Sequence, residues 1–197
     1  MGYGFGIGST LFAIGAIMAV LQANLVATNV VYALGAVFFT SAAAVQLRAA
    51  ESRKPRRRWA DPDWMSAAIQ FVGTLEFNVM TIRAVAMSFD QTIPYSQVWD
   101  PDVIGSALFL ISSWVAWHPI AREKRHRVIH GRSAFITLSN MLGSIFFGLS
   151  AWGAALLPDG TYQSLFWSNA GTFIGALFFL VAAIATVPRP AERAADM

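Results

Sequence analysis

A Gly with a small residue beside it, a Phe four positions on and mostly small residues seven and eight on occurs six times in this chain. The copies begin at Gly8, Gly35, Gly73, Gly105, Gly143 and Gly175 and carry Phe12, Phe39, Phe77, Phe109, Phe147 and Phe179. They are spaced by 27, 38, 32, 38 and 32 residues, so Gly35, Gly105 and Gly175 stand 70 apart, as do Gly73 and Gly143. This is the signature of one two-helix unit written three times. On a helix, positions i, i+4, i+7 and i+8 share a face, so each copy shows a small-residue notch beside a Phe knob.

The segments that carry the motif are long and apolar. They run at about residues 5–21, 25–47, 65–89, 103–120, 133–157 and 165–187, and each is long enough as a helix to cross a hydrocarbon core of roughly 30 Å. Of the 197 residues 56% are hydrophobic and 13% charged, half the charge of an ordinary soluble domain. Apolar runs of this length in lipid must be helices, because only helices and closed barrels satisfy their own backbone there. The first run lacks a basic leader and repeats the motif, which makes it a span and not a signal peptide. The expected fold is an all-α, polytopic six-helix transmembrane bundle of three tandem hairpins, at about 5–47, 65–120 and 133–187, with no soluble domain. Cysteine is absent, so disulfides and thiolate chemistry are excluded.

Thirteen of the fourteen Lys and Arg residues lie within 48–58, within 122–132, or at Arg189 and Arg193. With six spans these are the second loop, the fourth loop and the C-terminal tail, on one face. The positive-inside rule places that face and both termini in the cytoplasm of a bacterial inner membrane. The opposite loops carry Asp90, Asp100, Asp102 and Asp159 without Lys or Arg. Beside a bilayer the basic runs are expected to set topology and touch anionic headgroups, not nucleic acid.

Asp61-Pro62-Asp63 and Asp100-Pro101-Asp102 each read as an acidic cap with Pro in the first turn, preceding the third and fourth spans. Trp59, Trp64, Trp99 and Trp117 fall near span ends, where indoles settle at the lipid–water boundary. Lipid gives helices no hydrophobic reason to associate, so the notches at Gly8, Gly35, Gly73, Gly105, Gly143 and Gly175 are expected to bring backbones together. The three hairpins then stand in a pseudo-threefold ring or in a row.

Residues 6–15, 68–78, 140–148 and 169–179, with their Gly-small-x-x-Phe copies, resemble the YrhK-like domain of small bacterial, actinobacterial-type multi-pass membrane proteins. The resemblance covers nearly the whole chain and implies an integral membrane protein. It brings no catalytic residues with it.

The third copy breaks the pattern, with Glu76 three after its Gly where the others keep Leu or Phe. A carboxylate near the midplane costs about 2.5–3.5 kcal/mol on insertion scales, which predicts a protonated or paired group facing the interior. Gln70, Gly73, Glu76, Met80 and Arg83 follow at helical spacing, giving the third span one polar side; Arg83 is near enough to its outer end to snorkel. Glu76 is thus either an ion- or proton-binding group, with Gln70 and Arg83, or a carboxyl bonded to Asn140, Ser112 or Ser113. Asn78 points to the far side, toward a neighbouring hairpin or another protein. Asn140 and Gln70 hold matching repeat positions, which favours helix–helix hydrogen bonding. His126 and His130 stand at i and i+4, but in a basic loop without a completing carboxylate, and His118 has no partner at matched depth; no metal, haem or other cofactor is expected. With no nucleophile–base pair in sight, an enzyme is the weakest class. Two functions follow: an accessory or scaffold subunit that packs against a membrane-protein partner or a second copy, or a small transporter or channel with Glu76 as its midplane site.

Overall fold

The computed structural model describes residues 1–53, 58–123 and 131–187. Six α-helices account for nearly all of them: α1 (Gly2–Val20), α2 (Leu25–Ser52), α3 (Pro62–Met87), α4 (Ser96–Glu123), α5 (Arg132–Gly153) and α6 (Leu165–Thr186), with a short 3-10 turn at Arg58–Ala60 before α3. Each helix packs on its neighbours in sequence, and α6 closes onto α1, so the six form a ring and not a row. Every neighbouring pair is antiparallel. In α1 and α2, for example, Gly4 meets Ala42, Gly8 meets Gly35 and Gly15 meets Tyr32. One end of the ring therefore carries the start of α1, the end of α6, and the facing ends of α2 and α3 and of α4 and α5, the other the three hairpin turns.

The repeat explains the ring. Within each hairpin the two motif glycines face each other, and each Phe lies on the Gly of the opposite helix: Phe39 on Gly8 and Phe12 on Gly35, Phe109 on Gly73 and Phe77 on Gly105, Phe179 on Gly143 and Phe147 on Gly175. All six rings are buried and meet on the axis. Phe12, Phe77 and Phe147 form one triangle, with centroids 5.7 to 6.3 Å apart. Phe39, Phe109 and Phe179 form a second, at 5.6 to 6.3 Å. Most contacts between them are edge-to-face, the favoured aromatic geometry. Because odd and even helices run in opposite directions, a Phe four after its Gly sits toward the hairpin-turn end on α1, α3 and α5 and toward the terminal end on α2, α4 and α6. The two triangles are thus two stacked layers, a plug across the bundle.

Polarity is inverted relative to a soluble bundle. Among the described residues the buried polar ones are all Ser or Thr, while large apolar side chains such as Ile14, Val37, Leu75, Ile82, Ile111, Trp114 and Ile184 face outward. Small hydroxyls and amides hold the seams. Ser113 and Ser144 bond at 2.8 Å between α4 and α5, Ser112 donates to the Ser66 carbonyl at 2.8 Å, and Asn29 donates to Ser88 Oγ at 2.8 Å. Asn78 reaches the neighbouring hairpin, as its position predicts, where its amide donates to Thr40 Oγ1.

Four helices, α1, α2, α5 and α6, are long and apolar enough to cross a membrane. The remaining two have the length, 26 and 28 residues, but a heavier polar load than the sequence reading of six equivalent spans allowed. Gln70, Glu76, Asn78 and Arg83 fall on α3, and Asp100, Asp102 and His118 on α4.

The two Asp-Pro-Asp units have different fates. Asp61 caps α3, accepting from the Trp64 amide at 2.9 Å, with Pro62 in the first turn. Asp100-Pro101-Asp102 does not precede α4 as expected, because that helix starts at Ser96 and Pro101 lies inside it. A proline there cannot donate to the carbonyl four residues back, that of Gln97. Arg83 Nη1 donates to the Gln97 oxygen at 3.0 Å and fills the gap. Of the basic clusters, Lys54, Arg56, Arg57, Lys124, Arg125, Arg127, Arg189 and Arg193, together with His126 and His130, lie outside the described residues.

Candidate functional site

The ring encloses space on both sides of the Phe plug. Toward the hairpin turns a vestibule of about 390 Å³ is floored by Phe12, Phe77 and Phe147. Behind the plug, at the terminal end, a smaller cavity of about 170 Å³ is lined by Phe5, Gln70, Asn140 and Phe179 among others. One repeat position lines both. Three before the motif Gly stand Tyr32, Asp102 and Thr172 on the even helices, facing the vestibule. On the odd helices the same position gives Phe5, Gln70 and Asn140, facing the smaller cavity.

The vestibule wall is polar and aromatic: Asn29, Tyr32, Tyr95, Trp99, Asp102 and Thr172 contribute to it. Tyr95 and Trp99 spend their polar hydrogens on α5, whose last turn leaves carbonyls free. The Tyr95 hydroxyl donates to Ala154 O at 2.8 Å and Trp99 Nε1 to Ala151 O at 2.9 Å. Burial holds the Tyr95 phenol above its ordinary range, and nearby Tyr162 and Asp102 add to that effect. Asp102, partly buried, is the one carboxylate of the wall, and no Lys, Arg or His of the described residues lines the space with it. The early start of α4 explains its reach: with the helix begun six residues earlier, Asp102 stands within it and faces the vestibule instead of lying in a first turn.

The mouth is framed by two matching turns. Asp90 Oδ1 accepts from the Thr92 hydroxyl at 2.7 Å, and Asp159 Oδ1 from the Thr161 hydroxyl at 2.7 Å. These bonds, with those from the Thr92 and Thr161 amides, hold both carboxyls below the usual range.

Glu76 is not part of this site. It lies at the α3–α4 seam over Gly105, where a Cβ built on that glycine would come within 3.3 Å of the Glu76 Cβ. It is partly buried, between outward-facing Val72, Leu75 and Val79, and it lines neither axial cavity. The expectation that it faces the interior is corrected: the buried face of α3 at this height belongs to Gly73, Thr74 and Phe77, leaving Glu76 the rim. Nor do its expected partners reach it, since Ser112 and Ser113 bond elsewhere and Asn140 lines the cavity at the terminal end. Arg83 is exposed and serves the Gln97 carbonyl. Gln70 and Asn140 do come together, as the walls of one cavity.

Asp102 and Tyr32 escape a reading of motifs. The signal that marks them is their shared register three before Gly105 and Gly35, a polar pair in a position that a purely structural repeat would fill with small or apolar residues. No protein family, curated protein or solved structure matches the chain.

Proposed function

We propose that this chain is an integral protein of a bacterial inner membrane that binds a small solute in its vestibule and belongs to the class of small transporters. The observation that carries the proposal is the pair of cavities on one axis, separated by six phenylalanines. That is the arrangement of an outward-open binding site with a closed gate beneath it, and membrane-embedded ionisable groups facing a cavity mark solute paths. Asp102 takes the role the sequence suggested for Glu76. All six helices cross, in this reading. Outward-facing Val72, Leu75, Val79 and Ile82 on α3 and Ile104, Leu110, Ile111 and Trp114 on α4 suit them to lipid as well as the other four. The basic loops then put both termini in the cytoplasm, touching anionic headgroups, and the vestibule opens outward. The YrhK-like resemblance fits this class of small membrane protein.

The accessory or scaffold reading is the runner-up. It drew on the small-residue faces, the lack of chemical groups and the small soluble mass, and the ring spends all six faces on itself. Co-purification of one defined partner in several mild detergents, at fixed stoichiometry, would restore it.

Single-cysteine labelling tests the transporter reading, since the chain has no cysteine of its own. In proteoliposomes of known orientation, Ser150→Cys should react with an impermeant maleimide from the outer side and Asn140→Cys only from the inner side. Opening both layers with Phe77→Ala and Phe109→Ala should raise potassium flux over a tight wild type. Reaction of both cysteines from the same side, or a folded plug variant as tight as wild type, contradicts it.

A further inference from the structure

The vestibule is not closed on all sides. Between the end of α1 and the start of α6 lies a second space, a groove of about 590 Å³ walled by Ile17, Val20, Phe166, Ala170 and Phe173. Ala19, Gln22, Leu165 and Asn169 line both the groove and the vestibule, so only the side chains of the α1–α6 seam stand between the two. The groove faces the direction in which Ile17, Val20, Leu165 and Phe166 are exposed, toward lipid. Polarity falls along this path, from Asp102, Asn29 and Thr172 on the axis to hydrocarbon at the outside.

We propose that the site takes an amphiphilic amine from the outer leaflet, its ammonium head held at Asp102 and its alkyl tail lying in the α1–α6 groove. This rests on the reading of the vestibule as a binding site and adds the class of ligand and the door. A single carboxylate with no basic neighbour asks for one positive charge. A divalent metal asks for several oxygen ligands with more than one carboxylate, and no group of three His, Asp or Glu is present among the described residues. Tyr32, Tyr95 and Trp99 offer aromatic wall, the surface on which alkylammonium groups are held by the ring quadrupole. Both spaces fall within the roughly 300–1,000 Å³ of small-molecule sites. The tail's place in the groove follows from that shared seam: a head bound at Asp102 has it as an apolar exit once its side chains part.

The test uses the full chain in lipid nanodiscs, with intrinsic tryptophan fluorescence and thermal unfolding as readouts. Three probes separate the terms: decyltrimethylammonium, tetramethylammonium without the tail, and decanol without the charge. Decyltrimethylammonium should bind saturably and raise the melting temperature, with the other two weaker. Asp102→Asn should weaken it by roughly tenfold or more, the equivalent of one lost charge contact, and Asp102→Glu should recover part of that loss. Ala170→Trp, which fills the groove, should remove the advantage of the tail and leave tetramethylammonium binding as in wild type. Equal binding of the tailed and tailless cations, or an Ala170→Trp variant without effect, overturns the lateral door while the vestibule reading stands. Failure of every cation to bind, or binding indifferent to Asp102→Asn, overturns both.

Discussion

Replacing Gly8 by Ala tests the physical meaning of the repeat at one carbon atom. A Cβ built there would lie 2.6 Å from Phe39 Cδ2 and 2.9 Å from the Gly35 carbonyl oxygen. Carbon contacts are favourable at about 3.5–4.0 Å, so α1 and α2 must part by close to 1 Å or Phe39 must swing away. Phe39 has nowhere to go. It is 2% exposed and packed against the rings of Phe5, Phe12, Phe109 and Phe179. Overpacking of this kind costs about 1–3 kcal/mol. For a chain of this size, where each kcal/mol moves the midpoint about 2–4 °C, the melting temperature should fall by roughly 3–10 °C. Gly148→Ala is the control, since nothing lies within 4 Å of its added methyl; there the better helix propensity should leave stability unchanged or raise it by up to about 1 kcal/mol. Thermal unfolding in nanodiscs, followed by tryptophan fluorescence, reads both. In a Phe39→Leu background the Gly8→Ala penalty should shrink, because the clashing ring is gone. A Gly8→Ala protein as stable as wild type would refute the close-packing account of the motif.

Three further outcomes follow from particular contacts. Arg83→Ala should cost about 0.5–1 kcal/mol by removing the bond to the exposed Gln97 carbonyl, and less in a Pro101→Ala background, where residue 101 donates to that oxygen itself; a double-mutant cycle by thermal unfolding measures the coupling. Asn78→Leu should lose about 0.6–2 kcal/mol, the range for interhelical hydrogen bonds in membranes, and Thr40→Val should cost less once Asn78 is gone, when only its 3.2 Å bond to the Thr74 carbonyl is left to lose. Glu76→Gln should leave unfolding within about 0.5 kcal/mol of wild type and leave cation flux through the opened plug unchanged; a large effect on flux would return Glu76 to the path.

Much of this architecture is legible in the sequence because lipid reduces the choices. The spacing of Gly8, Gly35, Gly73, Gly105, Gly143 and Gly175 leads to three hairpins, and the Phe four on leads to a filled centre. The choice between ring and row is not written in local residues. It depends on α6 finding α1 across the whole chain, through contacts such as Gly2 with Ala183 and Val187. The site was less legible. Glu76 drew attention as the break in a motif, yet helical geometry gives the axis to Gly73 and Phe77 at that height and leaves Glu76 at a seam. Asp102 was hidden by a local rule that usually holds: Asp-Pro-Asp marks a helix start, as it does at Asp61. At Asp100 a hydrogen bond from another helix lets α4 begin a turn earlier, at Ser96, and moves Asp102 from the expected first turn to the cavity wall.

Ring closure is the claim on which both the plug and the vestibule depend. A Cβ built on Gly6 would stand 3.9 Å from the Ala183 Cβ, within the 3.5–4.5 Å usual for a disulfide, and no other cysteine exists to compete. Oxidation of a Gly6→Cys, Ala183→Cys protein in the membrane should give an intramolecular cross-link, read as a reducible mobility shift at monomer mass. The matched pair Gly6→Cys with Ile111→Cys, on the outward face of α4, should give none. Absence of the Gly6–Ala183 cross-link in a folded protein, or its appearance only between chains, would contradict the closed ring.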